Sequence, residues 1–90
     1  MEDKIVIATE YLKSIGCKEV ILFGSYADGT ADRSSDLDLA VSGISPRTYF
    51  RTVAEISSIV GMKVDLVTMD HVSADFKIKI QKEGRRLYAA

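Results

Sequence analysis

Apolar residues recur along the chain in two rhythms, one helical and one of strand period, and the rhythms alternate from the first residues to the last. Ile5, Ala8, Leu12 and Ile15 fall at helical spacing, with Gly16 where a helix would stop. Glu19–Phe23 (EVILF) is a short apolar run closed by Gly24, which predicts a buried strand, and Ser25 opens a short helix after it. Asp36–Ser42 alternates polar and apolar positions and predicts a second strand. Ser45-Pro46 marks a helix start, serine as N-cap and proline at the first helical position. Tyr49, Val53, Ile56 and Val60 then describe one buried face, and Gly61 ends it. Lys63–Met69 (KVDLVTM) is a third strand. Ser73 caps a last helix in which Phe76 and Ile80 face inward and Gly84 is the stop. Arg85–Tyr88 fits a short final strand or a tail equally well.

The order helix, strand, short helix, strand, helix, strand, helix predicts an α/β (α+β) domain in which helices flank a small β-sheet. At 90 residues, with no internal repeat or linker, residues 1–90 are expected to form one domain. Bringing Gly24, after the first strand, close to Asp36, before the second, favours antiparallel neighbours. Bringing Asp36 and Asp65 together, both early in their strands, favours a parallel pair with the 45–60 helix as a right-handed crossover. The sheet should therefore be mixed.

Composition narrows the setting. The chain is 47% hydrophobic and 28% charged, as soluble globular proteins are and disordered ones are not. A net charge of −1 gives no global attraction to duplex nucleic acid or to an anionic membrane. No apolar run approaches the roughly 20 residues of a membrane span, and Met1–Lys13 lacks the features of a signal peptide. The lone Cys17 cannot form an internal disulfide and reads as a packing residue in a reducing, cytoplasmic setting.

The chemistry concentrates in GSYADGTADRSSDLDL, from Gly24: Gly-Ser, ten residues, then Asp36-Leu37-Asp38. By average residue usage this pattern arises by chance in roughly one such chain per thousand. On a strand Asp36 and Asp38 share a face, where they repel unless a cation or solvent compensates. Paired hard oxygens suit Mg²⁺ or Mn²⁺ better than zinc, which would recruit His or Cys. Asp65 interrupts the apolar run VDLV and completes a set of three acids able to hold metal for an in-line displacement. Asp65 would also orient, or take a proton from, an attacking hydroxyl. Gly24 lets the backbone approach a phosphate, and Ser25 offers a hydroxyl and helix N-terminal N–H groups to it. Other readings compete: the acids and serines as turn chemistry, Asp65 as an edge residue facing water, and Arg33, Lys63 and the Lys77–Arg86 cluster as solvated faces. His71 falls in an expected loop.

At Gly24, Ser25, Asp36 and Asp38, with Asp65 on the later strand, the sequence resembles the minimal nucleotidyltransferases of the DNA polymerase β superfamily. The resemblance extends over essentially the whole chain, more weakly through EGRRLY at Glu83–Tyr88. It implies the polymerase β-like palm fold and a Mg²⁺-dependent transfer of AMP from ATP to a hydroxyl. Asp36, Asp38 and Asp65 would be metal ligands, Asp65 the activator of the acceptor, and Gly24-Ser25 the triphosphate cradle. Relatives this small often serve as antitoxins to a HEPN-domain ribonuclease toxin, in several cases by placing AMP on a toxin tyrosine. The chain departs from the common Gly-Ser-x-Ala-Arg-Gly at Asp28, a reversed charge that would weaken nucleotide binding. Arg33 is the nearby cation that would stand in as a nucleotide-binding residue. The alternative is a catalytically weak or silent antitoxin that neutralises its partner by binding alone. Transfer to RNA or an aminoglycoside is disfavoured, for the chain shows neither a basic face nor a stacking-aromatic array. Self-association is left open.

Overall fold

Leu37, Leu39 and Val41 are fully buried on one side of strand β2 (Leu37–Ser42), while Asp38 on the other side stays half-buried. This alternation, set by the period of two, decides which face of the sheet is core and which is open. The computed structural model describes residues 2–90. In it β2 lies between β1 (Glu19–Phe23) and β3 (Val64–Thr68), and β4 (Arg85–Ala89) closes the far edge, giving the order β3-β2-β1-β4. β1 runs antiparallel to both β2 and β4, and β2 runs parallel to β3, so the sheet is mixed as its connections require.

Helices α1 (Glu2–Ser14) and α3 (Pro46–Val60) cover the core face. Ile5, Ala8 and Leu12 from α1 and Ile56 and Val60 from α3 pack on Val20, Leu22, Leu39 and Leu66. Ser45 caps α3 by accepting from the Thr48 N–H, and the Tyr49 hydroxyl donates to the Leu66 carbonyl at 2.8 Å, tying the helix to the edge strand. Helix α4 (Ala74–Glu83) lies on the opposite face, where Ile80 and Met69 cover Ile21 and Ala40. It covers that face only in part. A one-turn helix, α2 (Ser25–Asp28), follows β1 directly.

Several details depart from the pattern read along the chain. Strand β2 starts at Leu37, so Asp36 stands one residue before it. The buried face of α3 carries Thr52 in place of Val53, which is 38% exposed. Thr52 enters the core because its hydroxyl is satisfied by the Thr48 carbonyl, 2.7 Å away. Phe76 is only half turned inward, at 37% exposed, with its ring edge-to-face against Phe23. Residues 85–89 form a strand, with Leu87 bulged out of the pairing between Tyr88 and Arg86. No helix among the described residues is long and apolar enough to cross a membrane.

Gly84 joins α4 to β4 at a point where no side chain fits. A Cβ there would lie 2.5 Å from the Ile80 carbonyl oxygen and 2.6 Å from Ile21 Cγ2. Gly84→Ala is expected to destabilise the fold by about 1–3 kcal/mol, read from urea unfolding, because neither the helix end nor the central strand can give way freely. A second prediction concerns Cys17, only 3% exposed beneath α1, where burial pushes the thiol from an ordinary 9.0 up to about 11. Its protonated form contributes stability that is whole below the unfolded thiol value and lost as pH rises through about 11. At pH 8 the native thiol should therefore resist iodoacetamide and react only after unfolding in urea, as counted by mass spectrometry.

Candidate active site

The open face of the sheet is organised around Asp38. Its backbone stands level with Phe23 of β1 on one side and with Asp65 of β3 on the other. The two carboxylates therefore project from adjacent strands onto the same face. Burial first, then the charges of Asp65 and Asp36, push the Asp38 carboxyl above the usual carboxylate range, and a hydrogen bond shared with Asp65 acts in the same direction. Asp65 itself is exposed. Asp36 is half-buried, its Oδ2 3.4 Å from the ammonium of Lys63, whose side chain is largely in water as a solvated base would be. Among the described residues no three His, Cys, Asp or Glu side chains are gathered into a metal cluster, so Asp36, Asp38 and Asp65 do not converge as a ligand set. The donor set is nonetheless that of a hard divalent cation: carboxylate oxygens only, crowded enough to disfavour ionisation of the central member.

Gly24 makes the approach to Asp38 possible. Its backbone (φ 72°, ψ −154°) lies in a region essentially reserved for glycine, and a Cβ would collide with the Asp38 carboxylate. Ser25 follows as the first residue of α2. Ala27 and Asp28 both donate to the Gly24 carbonyl, which leaves the N–H groups of Ser25 and Tyr26 ahead of the first intrahelical bond.

The loop into β2 is stiffened by Asp32, whose Oδ1 accepts from the Ser34 N–H at 2.8 Å and the Ser34 hydroxyl at 2.7 Å. Asp28 is held in the same way by the N–H and hydroxyl of Thr30, which keep its carboxyl below the usual range. The reversed charge thus sits at the end of α2, bonded to its own turn. Arg33 lies exposed in the turn of the 29–36 loop and lines no part of the cleft beside Gly24.

That cleft, of about 360 Å³, opens between Gly24 and α4. Phe23, Gly24 and Asp28 form one wall and Phe76, Lys79 and Glu83 the other. The α4 residues escaped sequence reasoning, which placed Phe76 in the core and Lys79 among solvated bases. The available signal was their shared helix face, three and four residues apart, but what that face overlooks depends on how α4 packs on β1.

Residues 7–90 match the family profile described as polymerase beta, nucleotidyltransferase. The chain is 38% identical over 56 residues to a Methanocaldococcus jannaschii protein named "Putative protein adenylyltransferase", across 57% of this chain and 56% of the relative, so the match spans about half of that protein's length. It superposes with a TM-score of 0.80 on a chain of a toxin–antitoxin complex solved with AMP-PNP, at 26% identity, covering 99% of this chain and 73% of that one. The same fold recurs in the complex of a tri-AMPylated Shewanella oneidensis HEPN toxin with its MNT antitoxin, with a TM-score of 0.69 at 19% identity, covering 97% and 73% of the two chains. With the profile matching nearly the whole length and the Gly-Ser and Asp-Leu-Asp elements meeting at Asp38, the chain belongs to the polymerase β nucleotidyltransferase family.

Proposed function

We propose that the chain is a metal-dependent nucleotidyltransferase that moves AMP from ATP to a hydroxyl of a partner protein, most simply a tyrosine, and is the antitoxin of a HEPN-type toxin. The observation that carries this reading is the packing of Gly24 against Asp38 with Asp65 level beside it, which sets a phosphate cradle against paired carboxylates. The toxin–antitoxin complexes that share the fold support the partner, and the adenylyltransferase relative supports the reaction. In this reading residues 1–90 act as one catalytic domain in the cytoplasm, and the partner completes the acceptor site. Phe50, 72% exposed on α3, with Val53 and Ile59 exposed on the same helix, is apolar surface for a partner or a second copy to cover.

Gly24 and Ser25 hold the triphosphate through backbone N–H groups and the Ser25 hydroxyl. Asp36, Asp38 and Asp65 would hold Mg²⁺, which would neutralise charge developing on the phosphates. Asp65, the most exposed of the three acids, faces the acceptor and takes its proton. The acceptor oxygen then bonds to the α-phosphorus, the bond from that phosphorus to the α–β bridging oxygen breaks, and pyrophosphate leaves. Lys63 balances the charge of Asp36 while no cation is held.

The test is intact-mass spectrometry of the co-purified partner after incubation with this chain, Mg²⁺ and ATP. A gain of one or more AMP units is expected, reduced about 10²- to 10⁴-fold by Asp36→Asn or Asp38→Asn. A stable complex with no added mass establishes instead the antitoxin that acts by binding alone.

A stability prediction follows from the raised Asp38 carboxyl. Protonated Asp38 contributes stability that is whole below the unfolded carboxylate value of about 3.9 and lost as pH rises through the higher folded value. At pH 7 in EDTA, Asp38→Asn should therefore melt a few degrees above the unsubstituted protein. Added Mg²⁺ should raise the melting temperature of the unsubstituted protein and leave that of Asp38→Asn unchanged.

A further inference from the structure

We infer that the cleft between Gly24 and α4 is the nucleobase subsite, with Phe76 as the stacking residue and Glu83 as the acceptor for an exocyclic amine; the inference rests on the nucleotidyltransferase reading above. The cleft starts at the residue proposed to cradle the triphosphate, so a group bound in it lies within reach of that phosphate chain. Its volume of about 360 Å³ lies in the range of small-ligand sites. Its walls carry two phenyl rings 6.0 Å apart and nearly perpendicular, at 87°. In such a pair only one ring turns its edge to the other, so a flat ligand can lie on a free ring face, and Phe76 at 37% exposed offers one. Ile80 closes the floor.

The rim selects the ligand. Lys79 and Glu83 lie one turn apart on α4 and, among the described residues, neither is engaged in an ion pair or hydrogen bond. Asp28, on the facing wall, is occupied by Thr30. An unengaged ammonium beside an unengaged carboxylate suits a base carrying an acceptor nitrogen next to an amino group, as adenine does. Lys79 donates to the ring nitrogen and Glu83 accepts from the amine. Hypoxanthine, with a carbonyl in place of the amine and an N–H in place of the N1 acceptor, exchanges donor and acceptor on that edge, and in the adenine pose its carbonyl faces the Glu83 carboxylate. The same ammonium supplies positive charge to a cleft whose other charged residues, Asp28 and Glu83, are both acidic.

Isothermal titration calorimetry of the full chain tests this, with a non-hydrolysable ATP analogue, the corresponding inosine nucleotide and inorganic tripolyphosphate, each with Mg²⁺. Phe76→Leu, which keeps an apolar side chain of similar bulk, is expected to weaken the ATP analogue about 5- to 100-fold and leave tripolyphosphate unchanged. The retained tripolyphosphate binding also reports that the variant is folded. Glu83→Ala should abolish a preference for the adenine over the inosine nucleotide. Equal losses for analogue and tripolyphosphate, or no loss for either, overturn the subsite while AMP transfer by the unsubstituted chain leaves the enzymatic reading standing. Failure of the unsubstituted chain to bind any of the three overturns both.

Discussion

Asp38 is level with Phe23 in one neighbouring strand and with Asp65 in the other, and this double register is the constraint on which the candidate site depends. A slip of one residue in either pairing would turn Asp38 into the core and Leu37 or Leu39 out of it. The same apolar contacts that stabilise the sheet therefore hold the carboxylates in place. Gly24 locks the arrangement from the side, because only a residue without a Cβ leaves room for the Asp38 carboxylate.

Against that scaffold the electrostatics are deliberately unfavourable. Asp38 is partly buried between two other acids, and its raised carboxyl range records the cost. Lys63 pairs with Asp36 at the exposed rim, one step away from the Asp38–Asp65 pair. A fold of 90 residues has modest stability to set against such repulsion, and the buried faces of α1 and α3 provide it from the opposite side of the sheet.

Much of this was legible along the chain because it depends on short-range pattern. The alternation over 37–42 assigns faces, Ser45-Pro46 starts α3, and bringing the Asp36–Asp38 segment to Asp65 calls for the parallel pairing observed, in which Asp38 is the acid level with Asp65. What escaped depends on packing at a distance. Thr52 displaces Val53 from the core through one hydrogen bond to its own helix, which hydrophobic periodicity does not register. Phe76 looks like a buried position and Lys79 like a solvated one until α4 is laid against β1, an arrangement that hangs on the tight junction at Gly84. Arg33, near Asp36 in sequence, is carried into a turn by the Asp32 hydrogen bonds and away from the cleft. The strand at 85–89 could not be told from a tail because its partner, β1, lies more than sixty residues earlier.

The two faces of the sheet are also under different physical constraints. On the helix-covered face a substitution must keep volume and packing, whereas on the open face it meets fewer neighbours, since α4 covers only part of that surface. Sequences can then diverge to 26% identity while the backbones still superpose with a TM-score of 0.80. A change in α4 can reshape the open face while the buried side of β2 keeps its packing.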